Sequence, residues 1–73
     1  MIPSVLLDPR PASLSRAAPI AGAVNIPLDE LPRRLHELPP RGAPLFVAGP
    51  QPLVLDTVRW LAAGGRPATP LPD

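Results

Sequence analysis

One short segment of the chain has the layout of a catalytic loop but few of the side chains that such a loop needs. Residues 45–53 read LFVAGPQPL, in which a short apolar run leads through a Gly-Pro-Gln-Pro turn into an amphipathic stretch. A strand, a compact loop and a helix start form the layout in which many α/β enzymes hold a nucleophile or a phosphate. The loop offers neither a nucleophile nor a cation, since its residues are Ala48, Gly49, Pro50, Gln51, Pro52 and Leu53.

Reactive side chains elsewhere are few and scattered. The chain has no cysteine and only one histidine beside six acidic residues, which argues against cysteine redox chemistry and against a zinc or iron ligand cluster. We therefore expect no cofactor. His36 and Asp56 are predicted to be solvated side chains on helix surfaces. A hydrolase is disfavoured because no G-x-S-x-G turn surrounds the serines considered as nucleophiles, which are Ser4, Ser13 and Ser15.

Length and composition predict one small domain over residues 1–73. A domain of this size buries only roughly 60% of the surface that its unfolded chain exposes, so its core is small. All seven basic residues are arginine and 14 residues are proline, a bias that is typical of a GC-rich genome and suggests a thermophilic source as a hypothesis. Loop prolines offset part of the weakness of a small core, by about 0.4–1 kcal/mol each where the backbone suits them.

Charge and hydropathy narrow the classes of partner. The formal net charge is only +1, and one Trp and one Phe are all that the chain offers for stacking on bases. The cluster of Arg33, Arg34 and Arg41 is therefore interpreted as a solvated surface, and no nucleic-acid binding is expected. No apolar run approaches the ~18 residues of a membrane span, so we expect no membrane association and a cytoplasmic location.

The pattern along the chain predicts alternating strands and helices. Residues 4–8 (SVLLD) and 44–48 (PLFVA) are apolar runs typical of buried parallel strands. Residues 52–63 are predicted to form a helix, with Pro52 in its first turn and a glycine pair after its end. A second helix is predicted over residues 29–38, with Asp29 as its N-cap and a stripe of leucines at helical spacing.

The remaining segments are predicted to be short. Residues 11–19 hold at most one turn of helix because prolines break the pattern, and Ile26 is biased toward extended geometry by the proline that follows it. A short edge strand is expected around Ala68. The predicted fold class is α/β, with a small, mostly parallel sheet of three to four strands, flanking helices and right-handed crossovers.

The segments and their order resemble the rhodanese-like (sulfurtransferase) family. In that family a strand ending LLDVR is followed by GHIPGAxNIP, a helix, and an apolar strand that ends at a catalytic cysteine. Here LLDPR spans residues 6–10 and APIAGAVNIP spans residues 18–27, and the helix LDELPRRLHELP and the strand PLFVA follow in order. The resemblance covers residues 4–71 and implies a trimmed rhodanese-like domain, without the family's first strand and helix and without its last helix.

The resemblance also implies that the catalytic site is degenerate. It places Ala48 at the position of the catalytic cysteine and Leu53 at that of the loop arginine, while Pro19 replaces the histidine of GHIPGA. Pro50 and Pro52 each remove one backbone N–H from the loop that would cradle an anion. Phosphatases of the same superfamily need the same cysteine and arginine. The expected function is therefore that of a catalytically inactive domain, acting as a binding or regulatory module.

Two further interpretations concern the residues around the loop, and a third concerns the protein as a whole. Asp8 and Arg10 match an Asp and an Arg of the family. Either they form the rim of a ligand pocket, or Asp8 binds loop N–H groups and Arg10 pairs separately at the surface. An enzyme of another type would have to use Asp8, Arg10 and Gln51. A third alternative is a degenerate protein with little function.

The family's first strand and helix and its last helix, which have no counterpart in the resemblance, also point to an interface. In the family they cover faces and edges of the sheet, so a trimmed domain is expected to expose apolar surface, and such patches mark interfaces. Trp60 is interpreted either as a partly buried core residue or as a residue that faces a partner. The sequence therefore predicts a homodimer or a protein partner.

Overall fold

The protein folds as a small α/β domain around a four-stranded parallel sheet. We describe it from a computed structural model that covers residues 4–72. The strands are β1 (Val5–Asp8), β2 (Ala23–Asn25), β3 (Leu45–Val47) and β4 (Thr69–Pro70), and the α-helices are α1 (Ala12–Ala17) and α2 (Gln51–Ala63). The strand order is β2-β1-β3-β4, and every neighbouring pair is parallel. This architecture confirms the predicted fold class.

The core lies on one face of the sheet. Leu7 pairs with Val47 in register and Val5 pairs with Leu45, and residues paired across a parallel sheet project to the same side. Leu7 and Val47 are fully buried there against α2 and the segment before β3. The buried apolar residues of this cluster are Leu7, Ile26, Leu31, Leu38, Leu45, Val47, Val54 and Leu61.

The other face is thinly covered. It carries Leu6, in register with Ala23 on one side and Phe46 on the other, and these three side chains are only half-buried. From β1 the chain moves to β2 at one edge, whereas from β3 it moves to β4 at the opposite edge. Right-handed crossovers then place α1 on the opposite face from α2. Because α1 has only six residues and none of them is buried, it leaves much of this face open.

The helix predicted over residues 29–38 is wrong in type. The segment forms two 3₁₀ helices, Leu28–Arg33 and Leu35–Glu37, and Asp29 lies inside the first of them, whose N-cap is Pro27. An α-helix beginning at Leu28 would bring the ring of Pro32 against the Leu28 carbonyl, and Pro32 has no N–H to donate. The predicted stripe still faces the core, since two of its leucines are buried and two pack at the edge of the core: Leu31, Leu38, Leu28 and Leu35.

The bounds of α1 and α2 agree better with the positions of proline and glycine in the sequence. Helix α2 begins one residue before the predicted start, with Pro52 in its first turn, and it ends at Ala63 as predicted, with Gly64 as its C-cap. Helix α1 is longer than the single turn expected, because Pro9 and Pro11 precede it and do not interrupt it. Strand β4 lies at the sheet edge, one residue after the predicted position.

Two findings concern membranes and metals. None of the helices within residues 4–72 is long and apolar enough to cross a bilayer. The same residues contain no group of three or more His, Cys, Asp or Glu side chains placed to hold a metal ion.

Candidate functional site

The candidate site lies where the carboxyl ends of β1 and β3 meet. These adjacent strands are the point at which the chain reverses its direction across the sheet, and open α/β sheets bind ligands in the crevice outside such a point. The backbone N–H of Ala48 donates to the Leu7 carbonyl over 3.0 Å, which fixes the end of β3 beside the end of β1. The fold therefore brings the Asp8–Arg10 segment and the loop of residues 48–53 to the same edge of the sheet.

Asp8 and Arg10 form a two-point ion pair at this edge. Arg10 Nε donates to Asp8 Oδ1 and Arg10 Nη2 donates to Asp8 Oδ2, both over 2.9 Å, and the Arg10 backbone N–H donates to Oδ1 over 3.0 Å. The Asp8 side chain is 1% exposed and the Arg10 side chain is 13% exposed, so the pair is largely buried. The sequence interpretation had instead placed Arg10 at the surface. Burial alone would raise the pKa of Asp8, but the hydrogen bonds from Arg10 outweigh it and lower that pKa.

The rest of the Arg10 side chain covers the loop. Its Nη2 also donates to the Ala18 carbonyl over 2.7 Å, and its aliphatic part lies over Gly49, where an added Cβ would stand 3.7 Å from Arg10 Cγ. Gly49 has a φ of +140°, a conformation that other residues rarely adopt. Arg10 thus closes the space beside the loop and has its guanidinium engaged with protein acceptors.

Asn25 holds this region together and was missed by the sequence interpretation. Its Nδ2 donates to the carbonyls of Asp8 and Arg10, each over 2.9 Å, and so ties the end of β2 to the turn after β1. The available signal was an Asn at the end of a short strand, directly before Ile-Pro, in the NIP part of the motif. The side chain holds the turn that carries Arg10 in place.

The start of α2 gives the loop little capacity to bind an anion. Pro50 is the N-cap, no side chain caps the helix, and Pro52 lies in the first turn. Neither proline has an N–H, so two of the donors that a helix start usually offers are missing. Gln51 uses its Nε2 to donate to the Leu71 carbonyl over 3.1 Å, which holds the C-terminal segment beside the loop.

A shallow groove of about 440 Å³ adjoins the site, and its lining is apolar and acidic. It contains no basic side chain, and its two charged residues, Asp29 and Glu30, are both carboxylates. Glu30 is paired with Arg34 over 2.9 Å, and the described lining offers an anionic substrate no positive charge. The lining residues are Pro9, Pro11, Ala12, Pro27, Leu28, Asp29, Glu30 and Leu53.

The structure therefore brings the predicted residues together but leaves their polar groups occupied. Within residues 4–72 no buried side-chain nitrogen or oxygen lacks a hydrogen-bond partner. Outside the site, Trp60 is 37% exposed on α2, Asp56 is exposed, and the His36 side chain is 76% exposed. His36 and Asp56 thus lie at the surface as predicted.

No protein-family model matches this chain, and a search of curated proteins gives no match either.

Proposed function

We propose that the protein is a catalytically inactive rhodanese-like domain that acts as a binding module. The proposal is supported by the order of the segments that resemble that family and by the place where the chain brings them together. Asp8 is the last residue of β1 and Arg10 follows it, Ala48 follows β3, and both segments lie at the reversal point of the sheet. This is the edge at which an α/β domain of this kind would carry its ligand site.

One observation carries the inactive part of the proposal: the loop of residues 48–53 has neither a nucleophile nor a cation. Sulfur transfer needs a cysteine thiolate that becomes a persulfide, with converging N–H donors and a positive charge around it. Ala48 has no thiol and Leu53 has no charge. Arg10, whose side chain lies against Gly49, is already bound to Asp8 and to the Ala18 carbonyl.

The sheet face that carries Leu6, Ala23 and Phe46, called here the open face, supports the binding part of the proposal. Parallel sheets are normally covered on both faces, and among residues 4–72 this one has only the short helix α1 on that side. The shallow depression on the face has no charged lining residue; it is lined by Ser4, Val5, Leu6, Gly22, Phe46 and Leu71.

A second copy of the chain is the partner that this open face suits. In a two-fold dimer each patch meets its own copy, so a charged patch would repel itself, whereas a neutral apolar patch is self-complementary. We therefore propose a homodimer formed through the open face. Trp60 lies on α2, which packs on the other face, so it remains available to a different protein partner.

The inactive part is tested by a sulfur-transfer assay. The protein is incubated with thiosulfate and cyanide, thiocyanate is measured, and intact-mass spectrometry looks for added sulfur. We expect no thiocyanate above the buffer rate and no persulfide. Turnover that scales with protein concentration would overturn the proposal. A cytoplasmic location belongs to the same proposal, and cell fractionation tests it.

The homodimer is tested by light scattering at high micromolar concentration. We expect a dimer mass for the wild type and a monomer mass for Phe46→Arg, which puts two like charges face to face. Leu55→Arg is the matched control, because Leu55 is 43% exposed on α2 and should leave the dimer intact. A wild-type monomer would contradict the homodimer and leave the inactive assignment standing, since the two rest on different residues.

A further inference from the structure

A second groove lies at the opposite end of the sheet, where the strands begin. It has a volume of about 260 Å³ and is formed by the turn before β3 and the turn before β4, and the charged residues that line it within the described part of the chain are Arg41 and Arg66. We call it the arginine groove. Its lining residues are Pro39, Pro40, Arg41, Gly42, Ala43, Pro44, Leu45, Arg66, Pro67, Ala68 and Thr69.

Arg41 is held in the groove by one hydrogen bond. Its Nη1 donates to the Gly65 carbonyl over 2.9 Å. Gly65 has a φ of +82°, and a Cβ added there would overlap Arg41 Nη1. A glycine is therefore favoured at position 65 by its backbone conformation, and a Cβ there would displace the Arg41 guanidinium from its bond to the Gly65 carbonyl.

Arg66 is held in the same way from the other turn. Helix α2 ends in a Schellman motif, in which the Arg66 N–H donates to the Leu61 carbonyl over 2.9 Å and the Gly65 N–H donates to the Ala62 carbonyl over 3.0 Å. This backbone geometry fixes the position of Arg66, and its Nη1 donates to the Pro39 carbonyl over 2.9 Å. Each turn thus anchors the arginine of the other.

These two anchors leave most of each guanidinium unused. Among residues 4–72, Nε and Nη2 of Arg41 and Arg66 donate to no protein acceptor, and no carboxylate lies within 4.0 Å of either side chain. Arg10 and Arg34, by contrast, are both paired with carboxylates. Among the described residues, the arginine groove therefore holds two positive charges without a carboxylate partner, on a frame stiffened by four prolines.

We propose that the arginine groove binds a dianionic phosphate group. Two guanidinium cations match the charge of a phosphate, which carries about −1.5 to −2 at pH 7, and guanidinium N–H pairs fit its oxygens. The groove is several times larger than the ~30 Å³ that one water occupies in the liquid. It thus has room for the phosphate and for part of a molecule that carries it. The proposal is independent of the proposed function above, because it uses other residues at the other end of the sheet.

The test is a titration followed by NMR shifts of backbone amides, at low ionic strength and above the second phosphate pKa of about 6. Inorganic phosphate is the first probe and glycerol phosphate the second, and whichever binds more tightly identifies free or esterified phosphate as the source. We expect saturable shifts confined to Gly42, Gly65 and Ala68 and their neighbours, with a Kd below about 10 mM. Non-saturating or scattered shifts with both probes would overturn the proposal, as would acetate binding as tightly as phosphate.

Variants separate the charges from the fold. Arg41→Gln and Arg66→Gln should each weaken phosphate binding about tenfold or more, whereas Arg59→Gln, which removes an equal charge from the exposed surface of α2, should change it less than twofold. Because both arginines also anchor turns, Thr69→Glu provides a second test that keeps their anchoring bonds. It places a carboxylate in the groove and should abolish saturable phosphate binding in a folded protein. Unchanged binding by Thr69→Glu would contradict the proposed site.

Discussion

The two ends of the sheet treat their arginines in opposite ways. At the carboxyl end, Arg10 is bound on both sides by Asp8 and Ala18 and lies over the loop of residues 48–53. At the amino end, Arg41 and Arg66 are each anchored through one nitrogen and have no carboxylate partner within residues 4–72. The guanidinium of Arg10 is therefore occupied by protein acceptors, whereas Arg41 and Arg66 line an open groove.

This difference shows that the position of a site in a fold does not decide its chemistry. The carboxyl end at the strand reversal is where α/β folds carry ligands, yet here the polar groups at that end are satisfied by one another. A group can act on a ligand only where it has donors or charge that the protein has not already used. By that criterion the amino end of this sheet has the greater capacity to bind an anion.

The largest expected effect comes from removing Asp8, the carboxylate that pairs with Arg10. Asp8→Ala removes a buried carboxylate that accepts three hydrogen bonds and leaves Arg10 without its partner. We expect the free energy of unfolding to fall by on the order of 3 kcal/mol, as measured by urea denaturation. Asp56→Ala, at an exposed position on α2, is the control and should change it by less than about 0.5 kcal/mol. A loss of similar size in both variants would show that the Asp8–Arg10 pair is not a closed structural unit.

A smaller effect is expected from replacing Gly65, the glycine that lies against the Arg41 guanidinium. Gly22 and Gly65 have similar positive φ values, +77° and +82°, but only Gly65 has a neighbour that a Cβ would overlap. Gly22→Ala should cost about 1 kcal/mol for the backbone alone. Gly65→Ala should cost about 0.5–1 kcal/mol more, because Arg41 loses its bond to the Gly65 carbonyl. Equal costs in the two variants would mean that the Arg41 anchor contributes nothing to stability.

The smallest expected effect is a pH dependence of the stability that Asp8 contributes at the carboxyl end of the sheet. Because the pKa of Asp8 is lower in the folded protein than its ordinary value, the unfolded state binds more protons near that pH, and stability falls as the solution is acidified. The difference in free energy of unfolding between wild type and Asp8→Asn should be complete above about pH 5 and should shrink as the pH drops below about 3.9. A difference that grows on acidification would show that the pKa of Asp8 is raised.

The strands and α2 could be predicted from the sequence because local signals define them. Apolar runs set β1 and β3, and proline and glycine set the two ends of α2. The segment of residues 28–37 was predicted in its burial but not in its helix type, since a leucine stripe reports the face of a helix and not whether Pro32 permits the α form. The ion pair between Asp8 and Arg10 was not predicted, since the sequence interpretation placed both residues at a pocket rim, or Asp8 on loop N–H groups and Arg10 at the surface.

The arginine groove could not be predicted from the sequence. Arg41 and Arg66 lie 25 positions apart, and neither belongs to a recognisable motif. They meet only because the turn before β3 and the end of α2 come together at the same end of the sheet. Asn25 was missed for a related reason, since its two acceptors are backbone carbonyls that only the folded turn presents.

The most direct test of the central claim is thiocyanate production by two variants of the loop. If the proposed rhodanese-like assignment holds and the absence of a cysteine is the only defect, Ala48→Cys should give sulfur transfer, because its thiol would stand just before α2, where the helix dipole lowers the pKa of a thiol. A missing donor in such a site typically costs on the order of 2.7–4 kcal/mol in the transition state, and Pro50, Pro52 and Leu53 leave two donors and one cation missing.

We therefore predict background activity for Ala48→Cys. We also predict measurable activity when residues 48–53 are replaced by CRSGNR, a loop of the family type that keeps the buried Val54. Circular dichroism of both variants checks that they fold. Substantial turnover by Ala48→Cys alone would contradict the account, because it would show that the loop had kept its ability to stabilise the reacting sulfur.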